Sequence, residues 1–241
     1  MRGCETEMAG LVAIHQPNFF PWLGYFDKIR RADVFVLLDA VDYPRSGSGG
    51  MGSWCNRVRV AMQGEARWVT CPLRRMRLGS PILATEIDDS QPWRAKLLRT
   101  LGTNYRKAPS YFRTMGLLEP LINAPETNLA AFNIAAITAI AACLGLSSRF
   151  VRQSSLPYSG SSTELLISLV NAVGGSAYLA GGGAGGYQDD ALFEECGVEL
   201  VKQDFVARAY GDPMRFLPGL SVIDYLMWDG RLLSESVGDI G

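Results

Sequence analysis

The chain has 241 residues, with 23 Lys+Arg against 24 Asp+Glu and 48% hydrophobic residues, a balance that excludes disordered, collagenous and coiled-coil chains. At this mass about 70% of the unfolded surface can be hidden on folding, so a core forms without disulfide staples. The net charge of -1 hides an asymmetry: residues 45–113 hold 13 basic and 4 acidic residues, whereas residues 114–241 hold 6 basic and 14 acidic ones.

The basic stretch suits attraction of an anionic substrate or of the phosphates of a carrier, and equally suits pairing with the acidic remainder. No recognised nucleic-acid motif accompanies it, so nucleic acid is not an expected partner. The five cysteines are odd in number and never form a Cys-x-x-Cys pair, which makes a reducing cytoplasm the expected location. The first residues carry acids before a short apolar stretch and do not read as a signal peptide.

Leu11 to Ile14 reads as a short strand that ends in His15-Gln16-Pro17. Pro21 then suits the first turn of a helix running to about Arg31, with Trp22, Phe26 and Ile29 on one face. Val34 to Leu38 is an unbroken apolar run ending at Asp39, the pattern of a parallel strand covered on both faces. Residues 44–53 are too glycine-rich for regular structure and read as a loop. Asn56 to Met62 and Arg67 to Cys71 suggest a hairpin around Gln63-Gly64-Glu65, and Ile87 suggests a further short strand.

Helices are expected at Trp93 to Leu101, Tyr111 to Leu118 and Leu129 to Leu144, the last capped by Asn128. The apolar window Leu129 to Leu146 includes Asn133 and many alanines, so it suits a buried helix better than a membrane span. Phe150 to Val151 is a strand candidate, followed by a helix at Thr163 to Val173 with Ser161 or Ser162 at its cap. Ala177 to Ala180 then reads as a strand leading into the glycine run Gly181 to Gly186. A helix at Asp189 to Glu195, a strand at Val198 to Val201 and a helix at Leu220 to Met227 complete the order. The whole, residues 1–241, is expected to be a single α/β domain, a mainly parallel sheet covered by helices, with a small β-rich insertion at 44–90.

His15 is the chain's one histidine and lies at the carboxyl end of the first strand, where open α/β sheets bind ligands. An imidazole there can move a proton near neutral pH or serve as a structural hydrogen-bonding group. Asp39 ends the next strand and could fix the His15 tautomer, bind substrate, or simply cap a turn. Arg45, Asn56, Arg57 and Arg59 surround the glycine-rich loop as a candidate anion clamp, while Arg74, Arg75 and Arg77 read as a solvated rim. Cys55, beside these cations, is a candidate nucleophile. The glycine run lacks the spacing of a dinucleotide fold or a Walker loop, and no spacing of ligands suggests a metal. No tightly bound cofactor is expected.

His15-Gln16-Pro17-Asn18-Phe19-Phe20-Pro21-Trp22-Leu23-Gly24-Tyr25-Phe26-Asp27-Lys28-Ile29, followed by Ala32 to Asp39, closely resembles the opening signature of the WbqC-like family. Trp54 with Asn56-Arg57, the stretch Ser176 to Tyr187, and Leu220-Ser221-Val222-Ile223-Asp224 resemble its later elements. The Gly47 to Gly52 loop is longer than the usual form, and Cys55 replaces a polar or small residue. The resemblance implies a biosynthetic transferase that joins an acyl or aminoacyl group to an amine, as in bacterial surface polysaccharide or natural-product assembly. It carries over His15, Asp39 and Asp224 as catalytic candidates and Gln16, Lys28, Asn56, Arg57, Tyr187 and Ser221 as binding candidates, with Asp27 beside Lys28 assigned either to the site or to the first helix.

The expected reaction has His15, supported by Asp39, take a proton from an amine attacking an activated acyl group, with Arg57 and Arg45 on an anionic group and Asn56 or loop amides on the oxyanion. A phosphopantetheine thioester, presented by an acyl or peptidyl carrier protein, is the expected donor, and a small-molecule amine the acceptor. Two other classes stay open: a nucleotidyl transferase, which would ordinarily need a second histidine, and a non-catalytic protein that binds a nucleotide sugar or carrier. Ser221 and Asp224 also fit a Ser-x-x-Asp capping box.

Overall fold

A computed structural model describes residues 10–44, 53–181, 188–212 and 214–233. Its centre is a five-stranded sheet built from β1 (Leu11–His15), β2 (Val34–Leu37), β5 (Arg149–Arg152), β6 (Ala177–Ala180) and β7 (Glu199–Lys202), in spatial order β5-β2-β1-β6-β7. Every pairing is parallel. The chain leaves β1 toward β2 and β5, then returns to lay β6 on the other side of β1. The carboxyl ends of β1 and β6 therefore flank the point where the winding direction reverses, the place at which doubly wound sheets open a ligand crevice.

The unbroken apolar run of β2 has the expected cause, and β1 and β6 share it. Val12, Ile14, Val34, Val36 and Tyr178 pack on one face against Ile167 and Val170 of α5 (Ser162–Ala172) and Phe193 of α6 (Asp190–Glu195). Ala13, Phe35, Leu37 and Leu179 face the larger core, with Phe26 and Ile29 of α1 (Leu23–Arg31), Ile137 and Ile140 of α4 (Leu129–Cys143), and Ile223 of α7 (Val222–Trp228). Alternate residues thus enter opposite cores, and both faces are covered.

The insertion after β2 is a hairpin of β3 (Arg57–Met62) and β4 (Glu65–Thr70). Gln63 and Gly64 have φ of 54° and 81°, the left-handed pair that a two-residue turn needs to match the twist of its strands, and glycine supplies the second without a Cβ penalty. Ile87 makes only an isolated bridge to Leu73, so the further strand expected there is absent. Next come α2 (Trp93–Tyr105) and α3 (Tyr111–Ile122), each four residues longer than its apolar pattern indicated. Asn128 caps α4 as expected, its side chain accepting from the Ala131 amide. Ser161 stands at the N-cap of α5 without a capping side-chain bond, whereas Asp189 caps α6 through Ala191 and Leu192.

The first helix starts later than Pro21 suggested. Trp22 is held extended in a bridge to Ser221, while the Val222 amide donates to the Pro21 carbonyl and Ser221 Oγ to that of Phe20. The start of α7 thus docks on the segment before α1 and keeps it out of the helix. Among the described residues no helix is long and apolar enough to cross a membrane.

Candidate functional site

His15 closes β1, and Gly181 follows the last residue of β6. Between them lies a cavity of about 340 Å³ whose lining includes Gln16, Lys28, Leu166 and Tyr178. Lys28 reaches it from α1: its Nζ donates to the Ile14 carbonyl at 3.0 Å and lies 5.5 Å from the centre of the Tyr178 ring. The residue is only 3% exposed, and that burial lowers the ammonium pKa to about 8.

His15 Nδ1 is 3.1 Å from the Gln16 carbonyl, which also accepts from Tyr25 Oη at 3.0 Å. A carbonyl oxygen can only accept, so Nδ1 carries the hydrogen and Nε2 keeps its lone pair. The Tyr25 ring stands edge-on to the imidazole at 4.8 Å and fixes its plane. Burial first, and then the Lys28 charge, push the imidazole down to about 4 against the opposing Gln16 bond. At neutral pH the crevice therefore holds an uncharged proton acceptor beside a buried ammonium.

These two shifts have a testable sign. Unfolded Lys28 stays protonated to about 10.5 and folded Lys28 only to about 8, so the cost of burying the charge is full below pH 8 and vanishes as pH rises to 10.5. Relative to Lys28→Met, the wild type should gain up to about 3 kcal/mol across that window, read from urea midpoints. A constant gap between the two proteins would contradict the buried ammonium. His15 acts in the same direction at lower pH: stability is lost as pH falls from 6.5 toward 4, and His15→Gln should abolish that part of the loss.

Asp39 belongs elsewhere. It is fully buried, and its carboxylate accepts from Arg152 Nε at 2.8 Å, the Ser154 amide at 2.9 Å and Ser154 Oγ at 2.7 Å. Arg152 ends β5 and Ser154 lies just beyond it, on the side of β2 away from β1, so the expected His15–Asp39 pairing is corrected to an Asp39 clamp on the end of β5 and the turn after it. Asp27 is likewise held by Arg30 at 2.8 Å and Gln203 Nε2 at 2.9 Å. Neither Asp27 nor Lys28 is the solvated helix residue it could have been, since both are buried.

Asn56 is a hub of the turn before β3. Its Oδ1 accepts from the Ser53 amide and Tyr43 Oη, and its Nδ2 donates to the Cys71 carbonyl, so both ends of the side-chain amide, the donor an oxyanion would need included, are engaged in structure. The Arg57 guanidinium lies 4.4 Å from the Trp68 ring centre, and Trp68 in turn packs on Trp54. Arg45, Tyr187 and the Gly182–Gly186 run lie outside the described residues. The Cys55 thiol is buried against Asn18 Oδ1 and pushed up to about 12 by burial, which removes the thiolate that nucleophilic attack would need.

Ser221 and Asp224 form only half of a capping box. Ser221 Oγ accepts from the Ile223 amide and caps α7, but the Asp224 carboxylate accepts from Tyr105 Oη and Tyr210 Oη, each at 2.8 Å. The Ser221 amide goes to the Arg59 carbonyl instead. Asp224 lines a different cavity, beside the β3–β4 hairpin, and the expectation that it stands next to His15 is corrected. Tyr178 and Leu166 were not named as site residues by sequence reasoning, whereas Gly181 opens the glycine run that it did weigh. The available signal was the pattern of β6 followed by glycine, which becomes informative once β6 is known to flank β1. Among the described residues no three His, Cys, Asp or Glu side chains come together as a metal site.

Residues 16–234 match the WbqC-like protein family, and the chain belongs to it. A relative from Mycobacterium tuberculosis, described as an uncharacterized protein, is 29% identical over 221 residues, which cover 89% of this chain and 92% of the relative. No solved structure matches the chain. The family is enzyme-associated, and the association suggests a biosynthetic role.

Proposed function

We propose that this member of the WbqC-like family is a biosynthetic transferase that forms an amide between an activated acyl or aminoacyl donor and an amine acceptor, in the crevice between β1 and β6. The observation that carries the reading is the pairing there of an uncharged His15, its Nε2 lone pair available, with the buried ammonium of Lys28. The amine nitrogen attacks the acyl carbonyl, a C–N bond forms, and the nitrogen's proton passes to Nε2. With a thioester donor the C–S bond then breaks and the same proton leaves with the thiolate.

The low basicity of His15 suits this task. It is too weak to strip a free ammonium, but the nitrogen becomes strongly acidic once it has bonded to the carbonyl carbon, and an uncharged imidazole is ready to receive that proton. Lys28 can face the developing oxyanion or an anionic group of the donor, the role first assigned to Asn56. Gln16 stays in the lining as a polar group for orientation. A phosphopantetheine thioester on a carrier protein remains the proposed donor, and a small-molecule amine such as an amino sugar the proposed acceptor.

The test is incubation of the purified chain with acyl and aminoacyl phosphopantetheine thioesters and a panel of amines, with mass spectrometry of the products. Protein-dependent amide formation with stoichiometric release of free thiol is the expected result. Pyrophosphate release from nucleoside triphosphates without amide formation would replace the reading with nucleotidyl transfer. Tight binding without turnover across the panel would replace it with a carrier-binding role.

A further inference from the structure

The cavity that holds Asp224 is separate from the crevice at His15 and has a chemistry of its own. It measures about 750 Å³ and lies between the β3–β4 hairpin, the end of α2 and α7, within the range of pockets that enclose small organic ligands. Asp224 is only 4% exposed, yet it lines this space. Its two oxygens accept from Tyr105 and Tyr210, neutral hydroxyls that leave each oxygen a second lone pair. Among the described residues no cation pairs with it, and burial raises its pKa despite those two bonds.

A buried carboxylate without a counter-ion is costly, and helix capping does not account for it, because the Ser221 amide is bonded to Arg59. The lining of the same cavity is otherwise basic. Arg106 and Lys107 are exposed there with no ion-pair partner among the described residues. Arg67 and Arg215 join them, each in an exposed pair, with Glu65 at 2.9 Å and Asp212 at 3.4 Å. Such pairs are worth little in water and open readily to a stronger anion.

We propose that this cavity is a second ligand site, distinct from the crevice at His15, for a small molecule that carries an ammonium group and a phosphate group. The ammonium supplies the counter-ion that Asp224 lacks, and the phosphate meets the Arg106–Lys107 rim. A simple anion would leave the carboxylate unpaired and facing it, and a simple amine would leave the rim unused.

Calorimetric titration of the full chain tests the site with three probes: glucosamine 6-phosphate, glucose 6-phosphate and glucosamine. The doubly charged probe should bind at least about tenfold more tightly than either control, the scale of one well-placed charge contact. Asp224→Asn should erase the preference for the amine while retaining glucose 6-phosphate binding. Arg106→Gln with Lys107→Gln, both exposed and therefore safe for folding, should weaken both phosphates by about tenfold. His15→Ala should change none of these affinities, which separates this site from the proposed amide chemistry. Equal binding of the two phosphates, absence of binding at millimolar ligand, or loss of binding on His15→Ala but not on the rim variant would overturn the assignment.

Discussion

Replacing His15 with alanine is expected to lower amide-forming turnover by about 100-fold or more, the usual loss when a positioned proton acceptor is removed. The side chain sits at the mouth of the crevice rather than in the core, so the fold should survive. Its ring contacts are an edge-on Tyr25 and one bond to the Gln16 carbonyl, and Tyr25 keeps its own bond to that carbonyl in the variant. The effect should appear in kcat at saturating donor, because the imidazole acts on the proton released in the transition state and not on ground-state binding. Lys28→Met should instead raise KM for an anionic donor as well as lower kcat. Near-normal turnover of folded His15→Ala protein would remove the residue from the chemistry and leave the crevice as a binding site.

Asp39→Ala should give the largest loss of stability among the substitutions considered, about 3 kcal/mol, with little change in turnover per folded molecule. The carboxylate is fully buried and takes three hydrogen bonds, one from Arg152 at the end of β5 and two from Ser154 just beyond it. Its removal leaves the Ser154 amide unpaired and frees the connection that holds the edge strand β5 against β2. Arg152→Ala should cost much less, because that side chain is 45% exposed and the two Ser154 bonds remain. Urea midpoints for the two variants check the order. Unchanged stability of Asp39→Ala combined with a collapse in turnover would return Asp39 to the reaction.

These two residues show where sequence reading reaches its limit. His15 and Asp39 both end apolar runs, and β1 and β2 do pair in register from Val12–Val34 to His15–Leu37. The strand ends are neighbours, as expected. Asp39, however, lies two residues beyond Leu37, the last paired residue, and finds partners 113 and 115 residues away in sequence. Nothing in the spacing of His15 and Asp39 encodes that choice. Lys28 gave the opposite surprise: its charge read as a binding group or a solvated helix face, and its burial at the end of β1 is what makes it chemically distinctive.

The interactions that act over a few residues were legible in the amino-acid order itself. Those are the hairpin around Gln63-Gly64-Glu65, the Asn128 cap on α4, and the apolar run of β2 that requires cover on both faces. The family signature likewise rests on contiguous residues. Strand order did not follow from them, because a run such as Ala177 to Ala180 satisfies its hydrogen bonds equally well beside any parallel neighbour. Packing of the complete set of helices selects β5-β2-β1-β6-β7, and that order alone puts Tyr178 and Gly181 beside His15 and Lys28. The same packing sends Asp224 to Tyr105 and Tyr210, since α7 docks on the segment before α1 and on β3 rather than entering the crevice. Side chains separated by more than a hundred residues meet only where the whole core closes, so the composition of each cavity was decided there.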